Sequence, residues 1–326
     1  MRNTTSFLLA SRVVRFGLFR FNAYRLFVVG LHERYPEETD VLGFISAKSG
    51  FAKYPQSEKR KNRFGDDACF IAHHYSADVL GVADGVGGWR DHGVDPSRFS
   101  YSMMNACAQL VAEGLFRPYE LRELIADSYE VVKNATSFHN ENGSSEAARC
   151  TDAIIGSSTV CIVALERRVS QIHTANLGDS GVLLFRDGEL LWQSAVQQHE
   201  ANVPFQLALI PEDQYPNSIA DQPDAADINS IDVELGDCVV IGTDGLFDNM
   251  PVELIEEEVA SLRSCMYTDV KRLCDGIAQK AKTLSQKARF PLSFARKFGR
   301  QGGKPDDITV IAAVVARVGR EGVDAV

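Results

Sequence analysis

The spacing of apolar and polar residues changes period several times along the chain. Ala68–His73 and Val79–Ala83 are short apolar runs on either side of a polar turn, and they predict a hairpin of buried strands. From Pro96 the recurrence shifts to three- and four-residue steps. Phe99, Met103, Ala106 and Leu110 then share one face, which predicts a helix. A second helix is predicted after Pro118, with Leu121, Leu124, Ile125, Ser128, Val131, Val132 and Ala135 turned inward. His139–Arg149 reads as a polar loop. Strand patterns return at Ser158–Leu165, Val169–Asn176, Val182–Arg186 and Leu190–Gln193, with Arg186-Asp187-Gly188-Glu189 supplying a hairpin turn. Pro204–Asn229 is turn-rich and acidic, and Asp232–Gly242 predicts a strand pair turning at Leu235-Gly236-Asp237. Helical patterns cover Pro251–Ser261 and Tyr267–Lys287, and Asp307–Ala316 predicts a last buried strand. Tyr35–Arg63 shows little periodicity and reads as a polar approach to the domain. This order predicts an α+β domain with helices packed on sheets.

Composition narrows the class. Of 326 residues, 45% are hydrophobic and 24% charged, the profile of a soluble globular protein able to bury a core without disulfides. The 34 basic and 44 acidic residues leave a net charge of −10, which argues against a nucleic-acid binder needing a basic field. The charge is uneven, however. Arg2, Arg12, Arg15, Arg20 and Arg25 precede the first acid, Glu33. An arginine-rich, acid-free, apolar start predicts a mitochondrial transit peptide over residues 1–35 and a location in the matrix. The arginines interrupt the apolar stretch too often for a run of about 18 uncharged residues, so no stable membrane span is expected. Seven dispersed cysteines without a CxxC pair fit a reducing compartment, so the sequons at Asn3, Asn134 and Asn142 carry no weight.

The chemistry is concentrated in four acidic segments, each beside a strand-like apolar run. They are Gly65-Asp66-Asp67-Ala68, Ala83-Asp84-Gly85-Val86-Gly87-Gly88-Trp89, Gly242-Thr243-Asp244-Gly245-Leu246-Phe247-Asp248 and Pro305-Asp306-Asp307-Ile308-Thr309-Val310. Any one of them alone reads first as a turn. Together they supply an all-carboxylate set with no histidine or cysteine ligand. Such carboxylates repel one another unless divalent cations neutralise them, and hard oxygen donors select Mg²⁺ or Mn²⁺. Cys161 and Arg167 stand in the Cys-x5-Arg spacing of cysteine-based phosphatases. The residues between them form a glycine-free strand rather than an anion-cradling loop, so Cys161 is expected in the core.

In this order the four segments resemble the PPM family of metal-dependent, type 2C-like serine/threonine protein phosphatases. The likeness runs over residues 43–318 and leaves 319–326 as a short tail. Asn176-Leu177-Gly178-Asp179-Ser180-Gly181 also resembles a family motif on a strand turn. With its basic leader the chain is most similar to the short mitochondrial branch, in the style of the subgroup named for T-cell activation. The resemblance implies a four-layer αββα sandwich, two antiparallel sheets flanked by helix pairs. It implies two metal ions, Mg²⁺ or Mn²⁺, with Asp84 bridging both and the Gly85 carbonyl on one. Asp244 and Asp306 would hold the second ion, and Asp67 would hold metal-bound water from behind. The implied reaction is attack of an activated water on phosphorus, with no phosphoenzyme.

Two departures from the family pattern stand out. Val86 occupies the place of a frequent histidine, the proposed general acid, and His92 is the nearest histidine in sequence. The family's phosphate-binding arginine falls at Asn62, leaving Arg60, Lys61 or Arg63 to take the phosphate. Trp89 is expected to pack over the metal hairpin. Phe290–Phe298, alternating aromatic and basic residues, reads as a solvated loop, with docking of a partner or acidic surface as the alternative. The leading expectation is therefore a monomeric phosphatase of phosphorylated mitochondrial proteins. The alternative is a pseudophosphatase, kept as a binding or regulatory module, which Val86 favours and the complete Asp84, Asp244 and Asp306 set opposes. A two-metal nuclease is disfavoured by the acidic charge.

Overall fold

The computed structural model describes residues 41–54, 64–141, 154–289 except 212, 214 and 217, and 302–318. The predicted transit peptide, the 55–63 segment with its phosphate-binding candidates Arg60, Lys61, Asn62 and Arg63, the Phe290–Phe298 stretch and the 319–326 tail lie outside them.

The chain order is β1 (Val41–Phe51), β2 (Ala68–His73), β3 (Ala77–Ala83), α1 (Ser97–Ala112), α2 (Leu121–Glu141), β4 (Gly156–Ser158), β5 (Val160–Glu166), β6 (Gln171–Leu177), β7 (Gly181–Arg186) and β8 (Glu189–Gln193). It continues with β9 (Gln198–Glu200), β10 (Val203–Pro204), β11 (Leu207–Leu209), β12 (Asp227–Asp232), β13 (Cys238–Gly242), α3 (Asp244–Phe247), α4 (Val252–Ala260), α5 (Tyr267–Ser285) and β14 (Ile308–Val318). Two five-stranded antiparallel sheets dominate, ordered β1-β14-β13-β7-β8 and β12-β6-β5-β3-β2.

Alternation along each strand explains the layers. On β5, Cys161, Val163 and Leu165 point between the sheets, while Val160, Ile162 and Ala164 point to α1 and α2. On β14, Ile311, Ala313 and Val315 enter the same central core, whereas Ile308, Val310, Ala312 and Val314 meet α4 and α5. Both faces are buried, so the central strands read as unbroken apolar runs. The result is helix pair, sheet, sheet, helix pair. Across the middle, Asp78 of β3 joins the sheets. It accepts the Phe44 amide of β1 at 2.7 Å and the buried Arg167 guanidinium at 2.6 Å, with His73 Nδ1 at 2.7 Å. Among the described residues no helix is long and apolar enough to cross a membrane.

Three expectations are corrected. The aperiodic stretch before residue 63 contains β1, an edge strand whose Gly43, Ser46, Lys48, Ser49 and Gly50 mask the alternation. The strands joined by Leu235-Gly236-Asp237 are not a hairpin, because β12 pairs with β6 and β13 with β14 and β7. Here the chain crosses from one sheet to the other, with Val233 buried in the central core and Asp237 gripped by Arg186. On α2, Val131 and Ala135 are exposed, and the last described buried position is Val132. There the helix outruns the layer it covers, and its helical span extends past His139 to Glu141.

Candidate metal centre

The pairing register gathers the acidic segments at one end of the sandwich. In the β2–β3 hairpin Ala68 faces Ala83, so Asp67 just before β2 and Asp84 just after β3 emerge side by side. In the other sheet Gly242 faces Val310, which sets Asp244, at the start of α3, near Asp306, ahead of β14. Asp84, Gly85, Asp244 and Asp306 line one pocket of about 860 Å³, together with Asp66, Val86, Arg90, Asp179, Lys53 and Lys304.

Backbone contacts fix the hairpin. The Asp84 amide donates to Thr159 Oγ1 at 3.0 Å, and the Thr159 amide donates back to the Asp84 carbonyl at 3.0 Å. Gly85 donates to the Asp66 carbonyl at 3.2 Å. A Cβ at Gly85 would lie 2.7 Å from that oxygen and 2.8 Å from the Pro96 carbonyl, so only glycine permits this approach. At Gly245 a Cβ would fall 1.8 Å from the Asp307 carbonyl, which holds α3 against the segment carrying Asp306.

The electrostatics are those of crowded carboxylates. The Asp84 carboxyl is pushed well above its usual range, first by burial and then by Asp67, Asp244 and Asp306. Asp306 is raised by burial and by Asp244. Asp179 and Asp248 each rise to about 6, through burial and then the charge of Asp244. Asp67 is fully buried behind the pocket and also raised, by burial and by Asp307. Its Oδ2 accepts Thr243 Oγ1 at 2.8 Å, and the Thr309 hydroxyl beside it also favours the charged form, while its Oδ1 is buried with no partner in full hydrogen-bond geometry.

That orphaned oxygen, the all-carboxylate lining and the glycine-bared Gly85 backbone fit a hard divalent cation better than any neutral ligand. Among the described residues no three acidic, histidine or cysteine side chains stand in a ready ligand cage. The Lys304 ammonium lies between the carboxylates instead, 2.6 Å from Asp244 Oδ2 and 2.9 Å from Asp248 Oδ2.

Several residues of the site escaped the sequence reading. Arg90 grips both carboxylate oxygens of Asp66, its NH2 at 2.6 Å from Oδ1, and lines the pocket with its side chain 44% exposed. Its only signal in the sequence is its place in the loop that begins at Asp84. Lys304 is signalled by preceding Pro305-Asp306, and Asp248 by closing the third segment. Asp307, the second acid of its pair, is structural: it accepts the backbone amides of Lys53 at 2.5 Å and Asp66 at 2.8 Å. Val86 lines the pocket, whereas His92 packs against Tyr215 at 5.3 Å between ring centroids and is not among the lining residues. Trp89 is buried beside the hairpin, with Nε1 donating to Ser157 Oγ at 2.7 Å. Cys161 sits in the central core with its thiol pushed up by burial, and Arg167 belongs to Asp78. The cysteine–arginine spacing is a decoy.

Comparison with known proteins agrees with this architecture. The family model described as protein phosphatase 2C matches residues 56–283. The protein phosphatase PTC7 homolog of Homo sapiens is 44% identical over 282 residues, covering 84% of this chain and 88% of that one. The PTC7 homolog fig of Drosophila willistoni is 38% identical over 267 residues, covering 80% of each. Among solved structures, the photosystem II phosphatase PBCP superposes with a TM-score of 0.65 at 23% identity, covering 85% of this chain and 100% of that chain. PppA of Pseudomonas aeruginosa does so at 0.52 and 17% identity, covering 84% and 98%; both likenesses concern the fold alone. By the family match and the identity to the PTC7 homologues, this chain belongs to the protein phosphatase 2C family of metal-dependent protein serine/threonine phosphatases.

Proposed function

We propose that the chain hydrolyses phosphoserine and phosphothreonine esters on mitochondrial proteins with the help of two divalent cations, Mg²⁺ or Mn²⁺. In this reading Asp84, the Gly85 carbonyl, Asp244 and Asp306 would hold the ions, with Asp84 central to the set, and Asp67 would order the centre from behind. The observation that carries it is the convergence of mutually repelling carboxylates on one pocket, backed by a fully buried Asp67 oxygen with no partner. When bound, such a cation pair lowers the pKa of a water so that it attacks phosphorus at neutral pH.

The chain's own groups do the rest. Thr159 and Thr243 hold Asp84 and Asp67 in place through the bonds given above. Arg90, anchored by Asp66 with donors to spare, is positioned to receive the phosphoryl oxygens in the role left open at Asn62. With valine at position 86 no proton donor stands there, so the leaving oxygen must take its proton from another group or from water. The non-catalytic alternative loses its ground, since the carboxylate set is complete and the two relatives cited above are named as phosphatases. The mitochondrial assignment rests on the acid-free, arginine-bearing leader.

The deciding experiment is hydrolysis of a phosphothreonine peptide by the purified chain with and without Mn²⁺, paired with imaging of a full-length fluorescent fusion. Metal-dependent release of phosphate and a mitochondrial signal are expected. No turnover under any divalent ion would sink the catalytic reading, and a cytosolic fusion would sink the location.

A further inference from the structure

Lys304 is held with unusual completeness for a lysine beside an active-site pocket. Its Nζ lies 2.6 Å from Asp244 Oδ2, 2.9 Å from Asp248 Oδ2, 3.4 Å from Asp306 Oδ2 and 3.3 Å from Asn202 Oδ1. The side chain is only 18% exposed. Its backbone is fixed as well. Fully buried Asn249 accepts the Lys304 amide at 2.8 Å, donates to the Lys304 carbonyl at 2.8 Å, and donates to the Gly245 carbonyl at 2.9 Å. One amide side chain thus ties the lysine to α3, whose first residue and C-cap are Asp244 and Asp248. Lys53, the other lysine lining the pocket, makes a looser contact, 3.5 Å from Asp306 with its side chain 35% exposed.

We propose that Lys304 is a resident cation of the acidic pocket: it neutralises the Asp244–Asp248–Asp306 end and competes there with divalent ions. The inference rests on the divalent-cation reading above. A tethered ammonium is always present at high effective concentration, so it stabilises the crowded carboxylates without metal. A divalent ion arriving at Asp244 must either share that carboxylate with a like charge or displace the lysine. Either way part of its affinity is lost.

The test is calorimetric titration of Mn²⁺ alone into the EDTA-stripped full-length chain and into Lys304→Met and Lys304→Arg, with melting of each in EDTA. Lys304→Met is expected to bind Mn²⁺ at least about tenfold more tightly, or to take up an additional ion, because a like charge beside the ligands is gone. Its metal-free melting temperature should fall, while Lys304→Arg stays near the parent in both. If Lys304→Met does not fold without metal, Lys304→Met combined with Asp248→Asn carries the same comparison against Asp248→Asn alone. Unchanged affinity and stoichiometry in a variant whose parent does bind Mn²⁺ would overturn the role of Lys304. A parent that binds no Mn²⁺ would instead overturn the metal reading, and this inference with it.

Discussion

At the scale of single residues, geometry separates groups that the sequence treats alike. Of the two acids in Asp66-Asp67, one pairs with Arg90 at the pocket and the other is sealed behind it with an unpaired oxygen. Of Asp306-Asp307, one lines the site and the other binds two backbone amides. Asp84→Asn removes a charge felt by every neighbouring carboxylate, so turnover should fall by roughly two to three orders of magnitude, the scale for losing a central electrostatic element. The metal-free fold should hold or become more stable, because repulsion is relieved. Steady-state kinetics with Mn²⁺ and melting in EDTA measure the two halves. Near-normal turnover by the variant would refute the assignment. Arg90→Ala should raise KM for a phosphopeptide about ten- to hundredfold with a smaller change in kcat, the worth of a charge-assisted bond to substrate. An effect confined to kcat would place Arg90 elsewhere in the mechanism.

At the scale of elements, the two sheets are joined by polar groups as well as by apolar packing. Asp78 on β3 reaches the β1 backbone and neutralises Arg167, with neither side chain open to solvent. Asp78→Ala leaves the Arg167 cation and the Phe44 amide buried without that partner. The cost should be about 3–5 kcal/mol, as for other broken buried pairs. Urea unfolding followed by fluorescence measures it. A loss below roughly 1 kcal/mol would mean that solvent reaches Arg167 once the carboxylate is gone.

At the scale of the molecule, the cluster links stability to pH. Asp66, Asp179 and Asp248 titrate near 6 in the folded chain, above the ordinary 3.8. A carboxyl whose pKa is raised by folding favours the folded state most below its unfolded pKa, and that gain is lost as pH rises through the folded value. The metal-free protein should therefore melt at a higher temperature at pH 5 than at pH 7, with the change between 3.8 and about 6. Saturating Mn²⁺ should reverse the trend, because the ion binds the ionised carboxylates and only in the folded state. Calorimetric scans across that range, with EDTA and with Mn²⁺, give both slopes. A metal-free melting temperature that climbs steadily from pH 5 to pH 7 would contradict the burial and crowding of these carboxylates.

The sequence by itself determined the elements whose burial is two-sided or strictly periodic. The runs on β5, β13 and β14 and the stripes on α1 and α5 announce themselves because side-chain period follows from backbone geometry alone. It also determined the acidic segments, since short carboxylates beside glycines at strand ends are local features. Edge strand β1 was hidden by its small and polar residues, for an edge can face water and lose the alternation. The crossing from β12 to β13 was hidden because a turn signal states where the chain bends, not which sheet receives the next strand. Only the tertiary structure decided that Arg90 leans on Asp66, that Asn249 fixes Lys304, and that Lys304 reaches Asp244 across 60 positions of sequence. Charges meet through space, and the path between them is set by the packing of two sheets rather than by spacing along the chain.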